Sequence, residues 1–142
     1  MIGLLLNPFD RTVQTVVVKG KDIKEKHDLI GCSIFSGVGF SYKSKFGLKK
    51  DYADKKEMPG TIFIDDEGLF KEPLAFFYIP ELYPMPLCGK ALFMGADLDT
   101  GDNIDCPPDL IIDLINKDLT VTYLDRLGVI QLERQLINMA GL

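Results

Sequence analysis

Three consecutive acidic residues are the strongest candidates for chemistry in this chain of 142 residues. Asp65, Asp66 and Glu67 stand together and are followed by Gly68. Adjacent carboxylates can push their pKa values apart, so that one serves as a general acid and another as a general base. The group could also hold a cation. The same residue types commonly end a strand in a turn, and we favour this structural interpretation.

A second acidic cluster begins like a calcium-binding loop. Its members are Asp97, Asp99, Asp102 and Asp105. In an EF-hand the glycine stands at the sixth position and a bidentate glutamate at the twelfth. Here the glycine is one place early, at Gly101, and Pro108 occupies the place of the glutamate. The EF-hand pattern therefore fails, which leaves an irregular oxygen-ligand site or, as the simpler interpretation, a solvated acidic loop.

Other residues that perform chemistry are too few or too scattered to form a motif. His27 is the single histidine, and it lies among charged residues on a predicted surface helix. Cys32, Cys88 and Cys106 are far apart and form no CxxC unit, so buried structural thiols are expected. Neither phosphate-binding glycine motif, GxGxxG or GxxxxGK[ST], occurs. The sequence therefore predicts no metal site and no cofactor, and it favours a protein that is not an enzyme.

Composition restricts the function classes further. Hydrophobic residues make up 46% of the chain and its net charge is −5, as in a folded domain rather than a disordered segment. No apolar stretch reaches the roughly 18–20 residues that span a bilayer, and the first residues do not resemble a signal peptide. With its scattered cysteines, the chain is predicted to be cytoplasmic and to have no membrane partner.

The charge is divided unevenly along the chain. Residues 19–56 hold ten lysines against five acidic residues, whereas residues 57–118 hold thirteen acidic residues against three lysines. The basic segment has no arginine and the chain is acidic overall, which disfavours nucleic-acid binding. The acidic segment could imitate DNA, although solvated loops and outer faces are the simpler interpretation.

Apolar periodicity and turn residues predict the elements that position these side chains. Strands are predicted at Ile2–Leu6, Thr12–Val18, Cys32–Tyr42, Gly60–Asp65, Leu87–Ala96 and Leu119–Leu124, and helices at Ile23–Ile30, Asp109–Lys117 and Val129–Met139. The first two strands form a hairpin, and the valines at the end of the second predict that part of it is buried on both faces. The glycines of the third strand indicate a bulge or a close backbone approach.

Capping residues define the predicted helices. Asp22 is the expected N-cap of the first helix, Glu25 stands in capping-box position, and Gly31 is the expected C-cap. Asp105 or Cys106 caps the second helix. The C-terminal helix is amphipathic and frays at 141.

Two segments have weaker patterns. Residues 43–58 form a lysine-rich insertion, expected to be mobile with one helical turn. The proline- and aromatic-rich segment 73–84 is expected to be packed and partly extended, with a short helical turn at Leu74–Tyr78. Together the elements predict a single α+β domain. Its mixed or antiparallel sheet has about five or six strands, with two or three helices covering one face.

Several short runs, in a fixed order and spacing, are similar to a known family. They are LNPFDRTV at 6–13, a cysteine after Ile30-Gly31, FIDDEGL at 63–69, an aromatic pair at 76–77 and YPMPLCGKALFMGAD at 83–97. These runs resemble the IDPFxRTI start, the VDDEGL turn, the aromatic pair and the YPQPLAGKALVVGTD strand of a small domain family of unknown function. That family is common in bacteriophage, prophage and plasmid genomes.

The resemblance implies a compact α+β module over residues 1–105, with no established enzymatic activity and no catalytic residues to transfer. The lysine-rich insertion at about 43–58 and the residues after 118 depart from the family pattern. Residues 106–142 are therefore interpreted as a helix-strand-helix extension of the same domain.

We accordingly predict a small, non-enzymatic accessory protein of a phage or mobile element, located in the host cytoplasm. It acts by binding a host protein or a small metabolite, and a homo-oligomer is left open. The candidate binding residues are Lys90, Asp65, Asp66, Tyr83 and Phe77, since aromatic side chains line pockets or protein-binding patches as well as cores.

Three alternatives stay open. The protein could sequester a nucleotide signal as a counter-defence, with Lys90 and Tyr83 as the local candidates. It could be an acidic decoy of a DNA-acting protein. It could also be a hydrolase or transferase that uses the Asp65/Asp66/Glu67 group.

Overall fold

The computed structural model describes residues 1–20, 23–44 and 57–139. Within these residues the chain is one small α+β domain with a six-stranded sheet, a three-stranded sheet and three α-helices. The strands are β1 Ile2–Asn7, β2 Thr12–Val17, β3 Phe35–Tyr42, β4 Met58–Asp65, β5 Phe76–Tyr78, β6 Leu87–Cys88, β7 Ala91–Ala96, β8 Asn103–Ile104 and β9 Thr122–Leu124. The helices are α1 Ile23–Ile30, α2 Pro108–Ile115 and α3 Arg126–Met139.

The main sheet confirms the predicted fold class. Its strand order is β2-β1-β7-β4-β3, β8 pairs with the end of β7, and all of these pairings are antiparallel. β7 is central because it pairs with β1 on one side and with β4 on the other. Five of its six residues are buried, so the strand runs through the middle of the domain.

The helices lie on both faces of this sheet, whereas the sequence predicted one covered face. Successive side chains of a strand point to opposite faces. Phe93 accordingly packs in the larger core with Leu110 of α2, and Met94 packs in a smaller core with Ile30 of α1. A strand that is apolar on both faces requires cover on both faces, and α1 and α2 each supply one side.

A second sheet, in the order β6-β5-β9, was not predicted as a separate unit. The predicted strand Leu87–Ala96 is in fact two strands, because Gly89 has a φ of +85° and turns the chain from the small sheet into β7. The helical turn predicted at Leu74–Tyr78 is wrong, since Phe76–Tyr78 is extended and pairs with β6 and β9. Aromatic residues favour extended structure when both neighbouring strands are available.

The N-terminal hairpin is confirmed, with Asn7 opposite Thr12 at its turn. Burial of its second strand on both faces is wrong, because β2 lies at the sheet edge and Val17 is 70% exposed. Val18, directly after the strand, is fully buried in the smaller core.

Helix α1 has the predicted bounds and the predicted glycine cap. Gly31 has a φ of +74°, and the backbone N–H groups of Gly31 and Cys32 both donate to the carbonyl oxygen of His27, at 2.8 Å and 3.0 Å. Glu25, the predicted capping-box residue, accepts the backbone N–H of Lys19 at 2.9 Å. The predicted N-cap, Asp22, lies outside the described residues.

The remaining elements differ from the prediction mainly at their ends. Strand β3 has no bulge. The other prediction for its glycines, a close approach of a neighbouring strand, fits Gly37, where a Cβ atom would lie 2.8 Å from the Thr61 side chain. Helix α2 is preceded by Pro107 as its N-cap, so neither of the predicted caps serves. The strand predicted at Leu119–Leu124 is reduced to the three residues of β9.

Helix α3 begins at Arg126, three residues earlier than predicted, and Asp125 accepts the backbone N–H of Gly128 at 2.8 Å. Residues 45–56 of the lysine-rich insertion and the predicted fraying at 141 lie outside the described residues. In the described part of the chain, no helix is long and apolar enough to cross a membrane.

Candidate functional site

Asp65 is committed to the turn that follows β4. One carboxylate oxygen, Oδ1, accepts the backbone N–H of Glu67 at 2.9 Å, and the other, Oδ2, forms an ion pair with Nζ of Lys71 at 2.5 Å. The hydrogen bond to Asp65 raises the pKa of Lys71. Asp65 is 9% exposed, whereas Asp66 and Glu67 are exposed. Both oxygens of the buried carboxylate therefore have partners, so the arrangement favours a structural role over general acid–base catalysis.

A small cavity of about 170 Å³ lies beside this turn. Asp65 and Asp66 line it together with Ser36, Leu69, Phe76 and Cys88. Burial raises the pKa of Cys88, and it also raises that of Cys32, which lies close to the Asp65–Lys71 pair. Thiols held protonated in this way are poor nucleophiles. The cavity is also below the range of about 300–1,000 Å³ that small-molecule sites occupy.

The other three predicted binding residues do not join this cavity. Phe77 is 2% exposed and its ring centroid lies 6.1 Å from that of Phe93, so it belongs to the core. Tyr83 is half-buried and packs against the same core. Lys90 is half-buried in the turn between β6 and β7. The structure thus brings together Asp65 and Asp66 but not the five predicted residues.

In the second acidic cluster, Asp97, Asp99 and Asp102 lie in the hairpin loop between β7 and β8, and Asp105 directly follows β8. Asp97 accepts the backbone N–H of Asp99 at 2.9 Å, and Asp105 accepts the backbone N–H of Ile2 at 2.7 Å. Across the described ranges, no three His, Cys, Asp or Glu side chains are grouped so that they could hold a metal ion. Asp97 therefore stabilises the loop, and Asp105 attaches the segment after β8 to β1.

A larger cavity lies where the β1–β2 turn meets the segment after α2, and we call it the basic groove. Its volume is about 360 Å³, within the range of ligand-binding pockets. It is lined by Arg11, Val13, Leu114, Ile115, Lys117, Leu119, Thr120, Val121 and Tyr123. Its apolar wall is therefore bordered by two cationic side chains and one aromatic ring.

The cationic residues of the basic groove share an unusual backbone conformation. Arg11 has a φ of +56° and Lys117 a φ of +61°, and no other described residue except glycine has a positive φ. Such a conformation costs a residue with a side chain about 1–2 kcal/mol. The turn at Arg11 is held by Asn7, whose side-chain oxygen accepts the backbone N–H of Phe9 at 3.0 Å. Strained residues of this kind cluster at functional sites.

Tyr123 connects the two sides of the groove. The guanidinium carbon of Arg11 lies 5.9 Å from the centroid of the Tyr123 ring, within cation–π distance. Burial raises the pKa of Tyr123, and the positive charge of Arg11 opposes this in part. The phenol is therefore neutral at neutral pH, and the groove carries a net positive charge from its two cations.

No family model, no curated protein and no solved structure matches this chain. A site in this protein is therefore inferred from its geometry alone. The resemblance to the phage-associated family stays a prediction.

The sequence did not point to the basic groove. Arg11 and Lys117 are more than a hundred positions apart, and neither stands in a motif. Asn7-Pro8 indicated the turn beside Arg11. No local signal links that turn to the residues after α2.

Helix α2, which supplies one wall of the groove, is anchored by a buried carboxylate. Asp113 is 1% exposed, and its Oδ2 accepts hydrogen bonds from the hydroxyl groups of Tyr42 and Ser44, both at 2.6 Å. Its Oδ1 is buried without a hydrogen-bond partner. Burial raises the pKa of Tyr42 strongly, and the hydrogen bond to Asp113 and its negative charge raise it further. This cluster connects α2 to the end of β3.

The third thiol makes a pH dependence of stability testable. Burial raises the pKa of Cys106 from 9.0 to about 12, so the folded thiol stays protonated while the unfolded thiol ionises. The resulting stabilisation is complete below about pH 9 and is lost as the pH rises toward about 12. At pH 10 we expect a loss of about 1.4 kcal/mol in the free energy of unfolding. The control is denaturant unfolding of Cys106→Ala at both pH values. Its free energy of unfolding should fall less between neutral pH and pH 10 than that of the wild type. An equal fall in both proteins would contradict the assignment.

Proposed function

We propose that this protein acts by binding a small anionic molecule in the basic groove, rather than by catalysis. The ligand class that fits is an anion with an apolar or aromatic body, such as a nucleotide. The observation that carries the proposal is the convergence of Arg11 and Lys117, both with a positive φ, on one cavity beside Tyr123. A role as an accessory protein of a phage or mobile element is supported by the family resemblance alone.

The groove offers both kinds of contact that such a ligand needs. Arg11 and Lys117 are exposed, and neither forms an ion pair with the described residues, so both are available to a phosphate or carboxylate. Leu114, Leu119 and Val121 provide an apolar wall for the body of the ligand. An aromatic ligand could also stack beside Tyr123.

The groove contains little that would perform a reaction. Its polar side chains are those of Arg11, Lys117, Thr120 and Tyr123, so it has no carboxylate or imidazole to act as a base at neutral pH. The carboxylate that the hydrolase or transferase alternative would use, Asp65, is engaged in its own turn. Binding is therefore the better-supported function.

The test is a binding experiment with separated parts of a nucleotide. Isothermal titration of the full chain with nucleoside monophosphates, the matching nucleosides and inorganic phosphate should give the tightest binding for the intact nucleotides. Phenyl phosphate tests whether the body of the ligand need only be aromatic. If no member of this set binds or raises the melting temperature, the proposed function is wrong.

Variants that keep the fold can distinguish a loss of binding from a loss of folding. Arg11→Asn and Lys117→Asn each remove one charge, and asparagine tolerates a positive φ better than other residues with a side chain. We expect each variant to weaken nucleotide binding about tenfold or more, since a charged hydrogen bond contributes about 1.5–3 kcal/mol. The melting temperature should stay equal or rise.

Lys19→Asn is the matched control. Lys19 is exposed at the other end of β2, about 20 Å from Arg11, so the same loss of charge there should leave binding unchanged. An equal loss of affinity in all three variants would indicate a general effect of net charge and would contradict a site in the groove. No contact among the described residues supports the acidic-decoy or the hydrolase alternative. Both stay predictions.

A further inference from the structure

Of the three described helices, α3 is the least buried. None of its 14 residues is buried, and its packing is mainly against β9. Val129, Leu132 and Leu136 are half-buried and face the domain. Apolar side chains also continue around to the solvent side, at Leu127, Ile130, Ile137 and Met139, which are 62%, 41%, 50% and 84% exposed. The apolar surface of α3 is therefore wider than the part that the domain covers.

One stripe on the exposed side combines apolar and charged residues in a regular order. Arg126, Ile130, Glu133 and Ile137 follow each other at intervals of four, three and four residues, which places them on one helix face. All four are exposed. Arg126 and Glu133 are too far apart along the helix to pair with each other, and neither forms an ion pair with the described residues.

We propose that this stripe is the contact between two copies of the chain, paired through antiparallel α3 helices. A two-fold axis passing close to Ile130 places Arg126 of each copy opposite Glu133 of the other. Two ion pairs then flank a central contact between the Ile130 side chains. The two helices overlap over residues 126–133, and Ile137 lies beyond the first residue of the partner helix. The surface is complementary to itself in this orientation, as a symmetric dimer requires.

The charge order favours a second copy over other occupants. In a parallel pair Arg126 would meet Arg126 and Glu133 would meet Glu133, so only the antiparallel arrangement satisfies both charges. The overlap of residues 126–133 is about 12 Å long, which makes the contact small, and we therefore expect a dimer that dissociates on dilution.

Charge reversal followed by charge exchange tests this proposal. Sedimentation equilibrium of the full chain should show a monomer–dimer equilibrium. Arg126→Glu places four carboxylates around the contact, and Glu133→Arg places four cations there, so each should raise the dissociation constant about tenfold or more. The double variant Arg126→Glu/Glu133→Arg restores opposite charges across the axis and should recover most of the wild-type affinity.

Folding is controlled by circular dichroism. Both positions are exposed, and a glutamate at 126 is favourable at the N-terminus of a helix, so the variants should keep their helix content. A chain that stays monomeric at every concentration would overturn the proposal. A dimer that is unaffected by the single reversals would overturn it as well, because its contact must then lie elsewhere. Neither result depends on ligand binding in the basic groove.

Discussion

Replacing Phe93 with alanine is expected to lower the free energy of unfolding by about 4 kcal/mol. Phe93 is completely buried at the centre of β7, in the strand that pairs with both β1 and β4. Its ring lies 6.2 Å from that of Phe40 and 6.1 Å from that of Phe77, centroid to centroid. Truncation would remove both ring contacts and leave a cavity between the main sheet and the small sheet.

The measurement is denaturant unfolding followed by tyrosine fluorescence or circular dichroism. Phe70→Ala is a matched control, since Phe70 is 87% exposed and its loss should change the free energy of unfolding by less than about 0.5 kcal/mol. Phe77→Ala should be nearly as damaging as Phe93→Ala. The burial of Phe77 indicates that it is part of the core. A small loss of stability in Phe77→Ala would contradict this.

Asp113→Ala is expected to be the most damaging substitution of a charged residue, at about 3 kcal/mol. It removes the acceptor of two short hydrogen bonds, which the buried hydroxyl groups of Tyr42 and Ser44 donate. A hydrogen bond to a charged group contributes about 1.5–3 kcal/mol to stability. Since α2 forms one wall of the basic groove, the same change should also weaken binding of any ligand there.

Asparagine distinguishes hydrogen bonding from packing at this position. Asp113→Asn keeps one oxygen to accept both hydroxyl groups, so we expect a loss of about 1 kcal/mol, well below that of the alanine variant. Asp118→Ala, at an exposed position shortly after α2, should be nearly neutral. Equal losses for Asp113→Ala and Asp113→Asn would show that the hydrogen bonds contribute little.

Local signals predicted the elements whose structure depends on neighbours in the sequence. Helix α1 has the expected bounds because Gly31 can take the left-handed conformation that ends a helix. The β1–β2 hairpin followed from two β-branched or apolar runs around a short turn. Asp65 was placed correctly in a turn, although its ion pair with Lys71 was not foreseen.

Elements that depend on distant partners were missed. The small sheet joins β5 to β9, which lie more than forty residues apart, so no window of sequence contains both. For the same reason the apolar run 87–96 read as one strand, although Gly89 divides it between two sheets. The sequence predicts Phe77 as a binding residue because an aromatic side chain suits a pocket or a core equally well, and only its burial places it in the core.

The amino-acid sequence by itself determined the class of this protein: an acidic α+β domain without a recognisable catalytic motif, with most of its strands and helices placed by periodicity and caps. Only the tertiary structure decided which charged residues are available to a ligand. Asp65 and Asp113 are engaged with neighbouring groups, whereas Arg11 and Lys117 converge on a cavity. The reason is physical: burial and pairing are set by groups that are distant in sequence, and a residue's type does not reveal them.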